Sequence, residues 1–148
     1  MSTQPKPVPI DRKVIAQGFE KQAKGKLPQQ QVEEITRGIM ADVAAHPAHG
    51  SILGLIFYYR ITVQVDGGKQ AVGNAGGAGS VGGGALFGNV YTDDLNALYA
   101  NSVSFAFEAT PVFVSVQFFD SNGHLLGHFE SGAVSMVTAA GGGTISWS

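Results

Sequence analysis

From residue 50 onward the chain alternates. Leu53, Leu55, Phe57, Tyr59, Ile61, Val63 and Val65 all fall on odd positions. Gly54, Tyr58, Arg60, Thr62 and Gln64 lie between them, with Ile52 and Ile56 as exceptions. A period of two sends successive side chains to opposite faces of a strand, so this run predicts a strand with the odd residues turned to a core. Asp66-Gly67-Gly68 supplies turn chemistry, residues 69–76 predict a weaker returning strand, and residues 80–91 a third. The second half has the same style. Val103–Ala109 alternates, Pro111 turns the chain or marks an edge, and Val112–Phe119 alternates again. Asp120-Ser121-Asn122-Gly123 reads as a hairpin turn. Leu125–Glu130, Ala133–Ala139 and Thr144–Trp147 complete about eight short strands. Even spacing of this kind indicates an antiparallel barrel or sandwich. Closure into a barrel would also remove exposed strand edges.

The first 49 residues follow a different period. Pro5, Pro7 and Pro9 predict an extended lead-in. Val14, Ile15, Phe19 and Ala23 predict a helix from Ile10 to about Lys24, capped by Asp11 and ended by Gly25 and Pro28. Val32, Ile35, Ile39 and Val43 form one face of a second helix over residues 29–45, stopped by Pro47 and Gly50. The expected division is therefore a basic arm at 1–27, an amphipathic helix at 28–49 and a β-barrel domain at 50–148. The second helix has an apolar face and must pack on something, and the following sheet is the nearest partner.

Charge changes the picture only locally. The net charge is −2 over 148 residues, but residues 1–26 hold six basic residues against two acids, and residues 50–148 hold two against six. A basic arm of this sparseness is first of all a solvated segment; its lysines Lys21, Lys24 and Lys26 are candidates for contact with an anionic surface. The start, MSTQPKPVPIDRK, has no apolar core of a secretory signal, and no run of about 18 apolar residues could span a bilayer as a helix. These features leave three expectations for location: an intracellular (cytoplasmic) chain, one exported by a signal-independent route, or a mature form restarted at a new Met. The absence of cysteine excludes disulfides, thiol nucleophiles and Cys-based zinc sites.

Glycine is abundant, at 21 residues, and residues 77–82, GAGSVG, match the G-x-G-x-x-G pattern of dinucleotide sites. That pattern needs a strand before it, a helix after it and an acid about 20 residues on. Here GNAG precedes it, Gly83-Gly84 follows, and Asn101-Ser102-Val103 stands where the acid should be. Nucleotide binding is excluded on those grounds. The glycines are better explained sterically, as bends in a small barrel and as room for the rings of Phe57, Phe105, Phe107, Phe118, Phe129 and Trp147.

The stretch at 88–148 resembles the virulence-associated protein (Vap) family of rhodococci. The resemblance rests on Gly88, Tyr91-Thr92-Asp93-Asp94-Leu95, Leu98-Tyr99, Ser104-Phe105, Ala109-Thr110-Pro111, Phe118-Phe119-Asp120, Gly123, Leu125-Leu126-Gly127 and the Gly-Gly-Gly run before Trp147. It extends loosely over 50–87 and leaves 1–49 unmatched. It implies a mainly β fold: a closed eight-stranded antiparallel Greek-key β-barrel with a filled core, preceded here by the helical arm. It also implies no ligand cavity, no catalytic site, secretion and a role inside a host cell and at its membranes. The residues themselves add one short helix after Thr92-Asp93-Asp94, with Thr92 or Asp93 as its cap.

Candidate chemistry is sparse. His46 and His49, expected at a helix end, lack a third ligand. His124, His128 and Glu130 share one strand parity and are expected to face water, opposite Leu125 and Phe129. No serine has a nucleophile-elbow context, and Asp93-Asp94 reads as a helix start. The expectation is therefore no catalytic, cofactor or metal residue, and no nucleic-acid partner. Tyr58 and Arg60, on one outer parity, join Lys21, Lys24 and Lys26 as candidate surface-contact residues. The favoured function is non-enzymatic surface contact with a partner protein or membrane, with the arm as a possible site of self-association. The alternative is a lipocalin-like carrier of a small apolar ligand.

Overall fold

A computed structural model describes residues 11–132 and 137–148. Within it run α1 (Arg12–Ala23), α2 (Gln29–Met40), β1 (Ala45–Gly54), β2 (Tyr58–Val65), β3 (Gln70–Gly79) and β4 (Gly82–Tyr91). They are followed by α3 (Leu95–Asn101), β5 (Ser104–Ala109), β6 (Phe113–Phe119), β7 (Leu125–Gly132) and β8 (Ala139–Trp147). The proline lead-in and most of the strand expected at 133–139 lie outside the described residues.

The eight strands close into one antiparallel barrel in the order β1-β2-β3-β8-β5-β6-β7-β4. Two Greek keys are nested in that order. The fourth strand returns to lie beside the first (4-1-2-3), and the eighth returns beside the fifth (8-5-6-7). The mainly β, closed-barrel expectation therefore holds.

The long alternation at 50–65 is two strands, not one. β1 ends at Gly54, a three-residue turn carries Leu55, Ile56 and Phe57, and β2 starts at Tyr58. The turn closes by Leu55 N–H donating to Tyr58 C=O at 2.8 Å and Phe57 N–H donating to Leu55 C=O at 2.9 Å. Facing also switches across it. On β1 the even residues Ala48 and Ile52 point inward and Leu53 points out, whereas on β2 the odd residues Tyr59, Ile61, Val63 and Val65 point inward. Ile52, an exception to the sequence pattern, is thus the core residue. Phe57, expected inside, stands 74% exposed on the turn.

β1 also starts earlier than the pattern suggests. Residues 45–49 belong to the barrel, and α2 stops at Met40 because pairing of Ala45 with Tyr91 takes the backbone that helical periodicity claimed. Pro47 sits near the start of β1, where its missing N–H is tolerated. Its carbonyl accepts from Asp66 N–H at 2.9 Å.

The interior is occupied by side chains. Tyr59, Phe107, Phe118 and Phe129 are fully buried among Ile61, Val63, Leu86, Val90 and Val116. Tyr59 meets Phe107 with ring centroids 5.3 Å apart. Phe118 meets Trp147 at 5.3 Å, and Tyr99 of α3 meets Trp147 at 5.0 Å. Glycine makes room for this: a Cβ on Gly73 would stand 2.6 Å from the Phe105 ring, and one on Gly141 would stand 3.1 Å from the Phe107 ring. Both barrel mouths are shut. Buried Leu98 on α3 and Trp147, whose indole N–H donates to Ser102 Oγ at 3.2 Å, close one mouth. Tyr59 closes the other, its hydroxyl donating to the carbonyls of Ile56 at 2.9 Å and Ser80 at 3.2 Å.

A second cluster lies outside the barrel. Ile15, Phe19, Val32, Ile35 and Ile39 of the α1–α2 hairpin pack on Phe113, Phe119 and Leu125 of the outer face of β6 and β7. Asp11 caps α1 by accepting from Lys13 N–H at 2.9 Å. The apolar stripe of α2 is therefore spent on this chain's own barrel. Asp94, not Thr92 or Asp93, caps α3, accepting from Ala97 N–H at 3.0 Å. Thr92 instead donates to Leu126 C=O at 3.0 Å, and Asp93 accepts from Ala44 N–H at 2.9 Å.

Candidate contact surfaces

The five surface-contact residues read from the sequence are all exposed, but the fold does not gather them. Tyr58 and Arg60 project from the outer face of β2, where the Tyr58 hydroxyl bonds Asn74 Oδ1 on β3. Lys21 lies in the last turn of α1, Lys24 is its C-cap, and Lys26 belongs to the turn before α2. α1 rests on β5 and β6: Gly18 is set against Glu108 and Phe113, and Gln22 Nε2 donates to Phe107 C=O at 3.2 Å. In the strand order β2 is separated from β5 by β3 and β8, so lysines and Tyr58–Arg60 occupy different walls.

The hairpin hides chemistry that strand parity places in water. His128 and Glu130 do point away from the barrel interior. They are nevertheless 1% and 4% exposed, because the helices roof that outer face. Glu130 Oε1 accepts from Ser115 Oγ at 2.8 Å and pairs with His128 Nδ1 at 2.7 Å. Gln117 Nε2 donates in turn to Ser115 Oγ. His128 stacks on Tyr91 at 5.1 Å, and the Arg12 guanidinium lies 5.1 Å over the other ring. Leu125 does not share Phe129's side as the sequence suggests. An irregularity at Phe118/Phe119 shifts the register, sending Leu125 to the helices. Only His124 of the expected trio faces water, bonded to Glu34 at 3.0 Å. That bond, with the Asp120 charge, raises the His124 pKa.

Burial raises the Glu130 carboxyl pKa, against the hydrogen bond and charge of His128 and the bond from Ser115; Glu108 adds to the rise. Glu108 is itself raised by burial and lowered by Lys21. The seam does not resemble a hydrolase triad. Ser115 bonds the carboxylate rather than the imidazole, so the serine–histidine–acid order of a triad is absent. His46 and His49 lie on β1 rather than a helix end and part company, to Thr92 C=O at 2.9 Å and Asp66 at 3.0 Å. Among the described residues no group of His, Cys, Asp or Glu has the clustering of a metal site. None of their helices is long and apolar enough to cross a membrane, which says nothing of strands. An open groove of about 300 Å³ runs between α2 and the β4–α3 link, past Ala41, Val43, Tyr91 and Asp93, outside the barrel.

The sequence reading missed a further feature. Exposed apolar side chains concentrate at one barrel mouth: Leu53, Leu55, Ile56, Phe57 and Tyr58, with Val81 on the β3–β4 turn and Val112 on the β5–β6 turn. The signal was present in the charge content of alternate turns, which becomes meaningful only once the strand order is known.

Comparison with known proteins bears on all of this. The chain is similar to virulence-associated protein VapB from the intracellular pathogen Rhodococcus equi, at 36% identity and a TM-score of 0.68, over 72% of this chain and 98% of that one. It is similar to VapD of the same organism at 33% identity and a TM-score of 0.70, over 73% and 100%. No curated protein matches. The family model for the Rhodococcus equi virulence-associated protein matches residues 6–148, and so takes in the hairpin that the sequence resemblance left unmatched. The chain belongs to the virulence-associated protein family of Rhodococcus equi.

Proposed function

We propose that this chain is a non-enzymatic virulence-associated barrel that acts by contact of its outer surface with a partner protein or membrane. The observation that carries the reading is the interlocked interior: Tyr59, Phe107, Phe118 and Phe129 are buried together and both mouths are shut. A carrier needs a cavity of several hundred Å³, and rings at van der Waals packing leave no such room. The buried seam lends catalysis no support, since its serine is bonded to the acid rather than the imidazole and the helices cover it.

The test is a titration of isotope-labelled protein with apolar ligands of fatty-acid size. The interior aromatic and methyl signals of Ile61, Val63, Phe107 and Phe129 should stay in place. Stoichiometric binding that moves those signals would replace this reading with that of a lipocalin-like carrier.

A further inference from the structure

The two ends of the barrel differ in kind. At one end lie the α2–β1 link with Asp42, the β2–β3 turn with Asp66 and Lys69, the β4–α3 link with Asp93 and Asp94, and the β6–β7 turn with Asp120 and His124. At the other end, among the described residues, lie the β1–β2, β3–β4 and β5–β6 connections. Their sequences, Leu55-Ile56-Phe57, Ser80-Val81 and Thr110-Pro111-Val112, contain no charged residue at all. Register fixes this sorting: Gly54 pairs with Gly82, Tyr58 with Gly76, Gly79 with Ala139, Ala109 with Ala139, and Phe113 with Gly132. From the uncharged end project Leu55, Ile56, Phe57 at 74% exposure, Val81 at 61% and Val112 at 67%.

We infer that this uncharged mouth seats in the apolar layer of a lipid bilayer surface. The inference rests on the surface-contact reading and names its partner. Three observations favour lipid over a shaped protein partner. The surface is a set of projecting turn tips rather than a groove. Six of the backbone donors on these turns are already satisfied within the chain: Leu55 N–H by Tyr58 C=O, Phe57 N–H by Leu55 C=O, Ser80 N–H by Thr138 C=O, Thr110 N–H by Phe113 C=O, and the N–H groups of Val112 and Phe113 by Thr110 Oγ1. Pro111 has no N–H to satisfy. An apolar medium favours such closure, because each free donor there is costly. Third, the polar side chains step back in the order a bilayer surface sorts them. Tyr58 stands at the base of the β1–β2 turn, and Arg60, the first charge on that wall, follows it two residues up β2. Aromatic hydroxyls favour the headgroup level, and long cations reach past it to water.

Backbone geometry points the same way. Ile56 holds φ at 73°, a left-handed conformation that costs a β-branched residue about 1–2 kcal/mol. Glycine or asparagine would close this turn more easily, yet an isoleucine stands there with its side chain 48% exposed. Local stability is spent to display an apolar group.

The experiment is flotation of the full chain with phosphatidylcholine vesicles and with vesicles containing phosphatidylserine, at low salt and at about 0.5 M salt. The wild type should float with both and keep its binding at high salt. Phe57→Ser should weaken partitioning about tenfold, as should Val112→Ser on the separate turn. Ile56→Gly removes apolar surface while relieving the strained φ, so it should lose vesicle binding with thermal stability unchanged or raised. Binding confined to anionic vesicles and abolished by salt would assign contact to the lysines of the arm and overturn the inference. So would binding unchanged in all three variants, or no flotation of the wild type. The last result leaves the surface-contact reading standing, since that reading fails only if the interior takes up a ligand.

Discussion

Replacing Phe107 with alanine is expected to lower the free energy of unfolding by about 3–5 kcal/mol. Its ring is fully buried, packs on Tyr59 at 5.3 Å and lies near Phe105 at 6.4 Å. The walls are tied by a closed ladder of antiparallel pairs, so they cannot collapse fully into the void. Against the roughly 5–15 kcal/mol that holds an ordinary domain, this is a large fraction. Phe57→Ala should cost no more than about 0.5 kcal/mol, because that ring already stands in solvent. Denaturant unfolding of both variants checks the pair. Equal losses would mean that the β1–β2 turn is misplaced and that Phe57 enters the core as its odd-numbered position suggests.

The second large effect lies at Glu130. Glu130→Ala strips the partner from buried His128 and from Ser115, and each buried polar group left unpaired in this way costs about 1–3 kcal/mol. Glu130→Gln keeps the shape and can keep one hydrogen bond, so its cost should be far smaller. It should also change the dependence on pH. Burial raises the folded-state pKa of Glu130 above the ordinary 4.5. The folded chain therefore holds a proton that the unfolded chain has already released. The stabilisation linked to that proton is complete below the unfolded pKa and is lost as pH rises through the raised folded value. Glutamine does not titrate. Relative to the wild type, Glu130→Gln should thus gain stability as pH rises above the ordinary carboxylate range. Parallel stability curves for the two proteins would contradict the burial of Glu130 beneath α1 and α2.

Much of this fold is legible in the sequence where one physical rule acts alone. The period-two runs at 103–109 and 112–119 have one buried barrel face, and the strands fall where the alternation says. The stripe Val32, Ile35 and Ile39 gives α2 for the same reason. Legibility fails where two rules compete. Between Gly50 and Val65 the alternation hides a turn, because a three-residue connection carrying Leu55, Ile56 and Phe57 looks as apolar as the strands it joins. Helical periodicity carries α2 on to residue 45, but pairing with β4 claims that segment. Parity correctly places His128 and Glu130 outside the barrel; it cannot show that outside is roofed by helices. A hint existed in the uncharged run from Ala109 to Phe119, whose outer positions Phe113, Ser115, Gln117 and Phe119 hold no charge to suit water. The lysine and Tyr58–Arg60 candidates were legible as exposed, but their separation onto different walls depends on the Greek-key order. The uncharged mouth depends on it too, since adjacent members of that end are turns distant in sequence.

The most direct test is a chemical-shift map of the intact, isotope-labelled chain against phosphatidylcholine nanodiscs. A filled barrel that works from its outer surface should show changes at Leu53–Tyr58, Ser80–Gly82 and Thr110–Phe113, with Ile61, Phe107 and Phe129 unmoved. Shifts at those interior residues, or at Asp66, Asp93 and Asp120 on the charged end in place of the turns, would contradict it.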